Sequence, residues 1–139
     1  MERIAVAVLA LLGLVLASYF TGVTYGWLAP NQRWMPPVCR LKEETCSRIL
    51  DTSEARIFGL PNSVLGIGYY LALLGAAVAA PLPETLRTVL VAVAWGTVGL
   101  GAYLVYRLVW GLRVPCILCF TAHGLNLGLA LLVTYGRSF

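Results

Sequence analysis

Four cysteines in this 139-residue chain fall as two pairs, Cys39 with Cys46 and Cys116 with Cys119. An even count in two clusters suits disulfide exchange, a stapling bridge or a metal site. The second pair, in Pro115-Cys116-Ile117-Leu118-Cys119, stands where a long apolar segment begins. At that spacing on a helix the thiols share one face. The second sits about 4.5 Å further along the axis, near enough to close a disulfide. A helix start also puts Cys116 at the positive end of the peptide dipoles, which favours the nucleophilic thiolate. Cys39 and Cys46, on a polar loop, can close a bridge of their own and reach Cys116, with exchange passing through a mixed disulfide. If the helix enters a membrane here, Cys116 meets water-borne thiols and Cys119 meets an acceptor dissolved in lipid, commonly a quinone.

Beyond the dithiol the helical face continues as Cys116, Cys119, His123 and Asn126, a spacing of three, four and three. A polar ring within a membrane span is a functional candidate by default, and His123 lies one turn below Cys119, placed to donate to a quinone carbonyl. Asn62, near the start of another apolar segment, is the corresponding donor, with Gly66 and Tyr70 on its face. Three other readings compete. Cys39 and Cys46 form a structural staple with the other two cysteines buried, or the four bind zinc or an iron–sulfur cluster, which places half the ligands inside an apolar helix. The third is a small transporter, which usually carries an intramembrane carboxylate that these spans lack.

The elements that must hold these residues follow from composition. With 60% apolar and 12% charged residues, the chain has the make-up of a membrane protein. Charge-free stretches at 4–25, 57–80, 88–106 and 114–135 each have about the twenty residues that cross a bilayer as a helix. The expected fold is a single all-α membrane domain, residues 1–139. It is a four-transmembrane-helix bundle with a cysteine-bearing lid loop at 26–56, where most acidic residues and Pro30, Pro36 and Pro37 fall. The first stretch resembles a signal peptide, but its apolar run outlasts a usual h-region, so a retained span is expected. The turn Pro81-Leu82-Pro83-Glu84 is short, which predicts that spans two and three are antiparallel neighbours, and Pro61 suits the first turn of span two. Four spans leave both termini on one side and all four cysteines on the other. The net charge of +4 comes from basic residues scattered among loops and offset by acids, which argues against nucleic acid.

Taken together, several residues carry a resemblance to a known family. Cys39 and Cys46-Ser47-Arg48, then Pro61-Asn62-Ser63 with Gly66 and Tyr70, then Cys116-Ile117-Leu118-Cys119 with Thr121 and Asn126, occur in the order of the vitamin K epoxide reductase family, which this chain resembles from Cys39 to Asn126. The resemblance implies a four-helix bundle around a quinone of the menaquinone, ubiquinone or vitamin K type, and electron transfer from protein thiols to it. Cys39 would exchange with a partner's thiols, Cys46 would form the mixed disulfide with Cys116, and Cys119 would act on the quinone. Asn62 matches the family's hydrogen-bonding asparagine, and Thr52, like Ser47, belongs to the lid. His123 departs from the pattern, standing where animal members carry a tyrosine, so epoxide reduction is not assumed. The chain lacks the fused thioredoxin-like domain of many bacterial members, which implies a separate thioredoxin-like donor for a protein expected to be monomeric. The other four-helix family of quinone-linked disulfide oxidases has its two cysteine pairs in the opposite order.

The basic residues bear on orientation. Arg33, Arg40, Lys42, Arg48, Arg56, Arg107 and Arg113 flank the cysteine side, and only Arg3, Arg87 and Arg137 the other. The positive-inside rule then predicts a cytoplasm-facing thiol side, whereas family members usually face the periplasm or its equivalent.

Overall fold

The computed structural model describes residues 1–29, 53, 56–57, 59–79, 81–113 and 116–136. Four helices dominate it: α1 (Glu2–Thr24), α2 (Asn62–Ala79), α3 (Glu84–Tyr106) and α4 (Ile117–Tyr135). Each is long and apolar enough to cross a membrane, as the charge-free stretches predict. Helix α1 packs along α2 and across α4, and α3 packs along α4. Val6 and Ala10 of α1, Leu73 of α2, Ala94 of α3, and Leu129 and Val133 of α4 meet in one fully buried core. Glu2 lies beside Gly136, and Arg87 donates to the Thr134 carbonyl at 3.3 Å, so both termini and the start of α3 share one end. The other end carries the dithiol.

Local chemistry sets the helix ends. Gly26, at φ 72°, terminates α1 with a Schellman turn in which Trp27 N–H donates to Gly22 O and Gly26 N–H to Val23 O. Exposed aromatic pairs stack at this end, Tyr25 on Trp27 and Tyr106 on Trp110, as at a membrane–water boundary.

Three expectations need correction. Span two begins at Asn62 rather than 57, because two short strands precede it as a hairpin, β1 (Arg56–Ile57) against β2 (Leu60–Pro61), with Gly59 at φ 81° between them. Pro61 therefore ends β2 rather than sitting in the first helical turn. Helices α2 and α3, though joined by the short turn, do not pack closely along their described residues, because a cavity separates them. Span three does not stop at 106 either. It begins at Glu84 and runs on through a π-helical turn, Arg107–Leu112, which ends at Arg113 in the left-handed region, φ 53°. A charged residue had marked the boundary in the sequence, yet a helix can carry an arginine past it where the side chain has a polar space to enter.

Candidate functional site

Cys116 is the N-cap of α4, with extended backbone at φ −108° and ψ 102°, so the helix proper starts one residue later. Its Sγ accepts the Cys119 N–H at 3.4 Å, and the two Sγ atoms stand 2.7 Å apart. The N–H contact places a donor on Cys116 and stabilises negative charge there, at the N-cap of a helix. Cys116 is 1% exposed and packs with Tyr19, Leu108 and Leu118. Cys119 is half-buried one turn deeper, on the wall of the cavity.

That cavity has a volume of about 510 Å³ and is bounded by all four helices and the hairpin. From α4 it receives Cys119, His123 and Asn126, and from α2 it receives Asn62, Ser63 and Tyr70. Helix α3 adds Thr97 and Gly101, the π turn adds Arg107, and Gly13 and Ala17 of α1 close the remaining side. The dithiol lies toward one end. Tyr70 and Asn126 lie deeper, where the Tyr70 hydroxyl donates to Asn126 Oδ1 at 2.8 Å, leaving the amide N–H groups as the pair's remaining donors.

Two glycines decide how the rings lie. A methyl at Gly101 would stand 2.7 Å from His123 Nδ1, so the imidazole rests directly on the α3 backbone. At Gly13 a methyl would fall within the Tyr70 ring, so α1 and α2 approach closely only because that residue has no side chain. His123 Nδ1 and Ser63 Oγ are buried without a hydrogen-bond partner among the described residues. The polar groups that line an otherwise mostly apolar wall, from Asn62, Ser63, Thr97, His123 and the Tyr70–Asn126 pair, suit a ligand with polar atoms of its own. The volume lies inside the range of about 300–1,000 Å³ typical of small-molecule sites. A quinone ring, flat and apolar with two carbonyl acceptors, fits that donor set.

Of the residues singled out from the sequence, Cys119, Asn62, Tyr70, His123 and Asn126 line the cavity together, and Cys116 abuts it through Cys119. Cys39, Cys46, Ser47 and Thr52 lie outside the described residues. Sequence reasoning missed Arg107 and Thr97 as residues of the site. Their signal was present, since Gly96, Thr97, Leu100, Gly101, Leu104 and Leu108 make a helical stripe that Arg107 adjoins.

A comparison with protein families bears on what this arrangement belongs to. A sequence profile described as the vitamin K epoxide reductase family matches residues 4–134, nearly the whole chain. No curated protein matches it significantly. The profile spans all four helices, the dithiol and the cavity, and the chain therefore belongs to the vitamin K epoxide reductase family, whose members are membrane thiol–quinone oxidoreductases.

Proposed function

We propose that this protein oxidises the thiols of a separate thioredoxin-like protein and delivers the electrons to a quinone, by way of two cysteine pairs. The observation that carries the reading is the position of Cys119, with its Sγ 2.7 Å from that of Cys116 and its side chain on the cavity wall. The partner's two thiols become a disulfide as the Cys39–Cys46 bridge takes up their two electrons. Cys46 thiolate then attacks the Cys116–Cys119 bridge, forming a Cys46–Cys116 mixed disulfide, and Cys39 resolves it, leaving Cys116 and Cys119 reduced. The Cys119 N–H and the helix N-terminus at Cys116 ease its departure as thiolate. The reduced pair gives two electrons and two protons to the quinone, re-forming its own bridge and releasing a quinol.

Within the cavity the proposed roles divide by depth. Asn62 and His123 donate to the ring's oxygens, and the Tyr70–Asn126 pair fixes a further donor below them. The apolar walls exclude water, which strengthens each of these hydrogen bonds. Seven basic residues near the cysteine side support a cytoplasm-facing orientation. Labelling Cys39 from each side of intact cells tests this, and labelling only from outside overturns it.

Quinol formation by the purified protein with dithiothreitol and a soluble quinone tests the central reading. Wild-type protein turns over and Cys119→Ala does not. Equal rates for the two would refute the assignment of Cys119. A Cys46–Cys116 cross-link accumulates when Cys39 and Cys119 are both replaced, and its absence under oxidising conditions overturns the route between the pairs.

A further inference from the structure

Arg107 is the one charged side chain among the described residues that line the cavity. Two features bring it there. The helical ladder of α3 widens into the π turn at this residue, and this kind of local expansion is frequent at functional sites. Four residues on, Gly111 lies beside the side chain, with Arg107 Nε 3.7 Å and Cζ 3.8 Å from where a methyl would stand, an ordinary contact that places the guanidinium along the turn. The next residue, Leu108, clusters with Cys116, which sets this turn at the dithiol's level, and Arg107 Nε is shielded from solvent. Arg107 stands at the level of the boundary aromatics Tyr106 and Trp110, and a permanent cation opening there onto a mostly apolar cavity makes a role in the site the first hypothesis.

We propose that Arg107 is the electrostatic residue of the site, selecting ring ligands that carry or acquire negative charge on their oxygens. This deepens the thiol–quinone reading and rests on it. Electrons leaving the dithiol ahead of protons put negative charge on the acceptor's oxygens, within reach of a fixed cation in a medium of low dielectric. The same cation favours binding of a ring that is already an anion. Selection therefore has a signature that needs no turnover.

The test compares 1,4-naphthoquinone, which is neutral, with 2-hydroxy-1,4-naphthoquinone, an anion at neutral pH, by quenching of the tryptophan fluorescence of the purified protein. Arg107→Met weakens the anion by about tenfold, equivalent to about 1.4 kcal/mol, and shifts the neutral ring less than about threefold. Arg107→Lys keeps most of the preference because it keeps the charge. In turnover with the neutral quinone, Arg107→Met lowers kcat by about tenfold to a hundredfold with little change in KM, the range for loss of a single charge-stabilising group. An anion-to-neutral ratio unchanged in Arg107→Met overturns the proposal. So does equal weakening of both ligands in both variants, which would make the residue a brace for the π turn. Should Arg107→Met fail to fold, Arg107→Gln against Arg107→Lys gives the same comparison. Wild-type protein that forms no quinol overturns the redox reading instead, which the binding ratio does not measure.

Discussion

Gly101→Ala isolates the contact that fixes the imidazole. The added methyl would stand 2.7 Å from His123 Nδ1, 3.2 Å from Cγ and 3.5 Å from Cε1. An ordinary contact begins near 3.4 Å, so the ring or the helix must yield by about 0.7 Å. Overpacking of this kind costs about 1–3 kcal/mol, and the better helix propensity of alanine returns up to about 1 kcal/mol. The protein therefore folds, with a stability loss of about 3 kcal/mol or less. Function suffers more than stability. A misplacement near 1 Å costs about a hundredfold in rate, so kcat for quinol formation should fall by about tenfold to a hundredfold. Gly99→Ala, where an added methyl meets nothing within 4 Å, is the control and should match wild type. His123→Ala removes the ring that the methyl would strike, so adding Gly101→Ala to it should cost nothing further. Wild-type turnover in Gly101→Ala refutes the reasoning. Losses that simply multiply in the double variant refute it equally, because they would place the methyl's effect elsewhere.

Three other outcomes follow from the same geometry. Gly13→Ala puts a methyl within the Tyr70 ring and should lower thermal stability in detergent by about 1–3 kcal/mol, whereas Gly68→Ala, with open space around it, should not. Tyr70→Phe removes the hydrogen bond to Asn126, at a cost of about 1 kcal/mol in stability, and raises KM for the quinone about fivefold, the latter measured by quinol formation at varied quinone. Cys39→Ala should block oxidation of a protein thiol partner while a small dithiol still drives Cys116 and Cys119. Loss of turnover with both donors would place Cys39 in the quinone step instead.

Where sequence and structure part company, the cause is usually a long-range contact. The stripe Cys116, Cys119, His123 and Asn126 was legible because helical periodicity is local and α4 carries all of it but Cys116, its N-cap. Asn62 and Tyr70 were legible as one face of α2 for the same reason. The hairpin at 56–61 was not, since an apolar run of that length reads the same as the start of a span. Arg107 was read as the edge of span three because charge was taken to end a membrane helix. It is instead turned inward by a π turn that no local pattern announces.

The sequence by itself determined that the chain has four helices long and apolar enough to cross a membrane, and that a dithiol opens a polar helical stripe. Each of these depends on length, hydropathy and period, which are properties of single segments. The tertiary structure decided that α2 and α3 stand apart around a cavity of about 510 Å³, that Cys119 is on its wall, and that an arginine shares it. Those facts depend on which glycine faces which ring. Gly13 meets Tyr70 from another helix and Gly101 meets His123 from another again, and no stretch of chain contains both members of either pair.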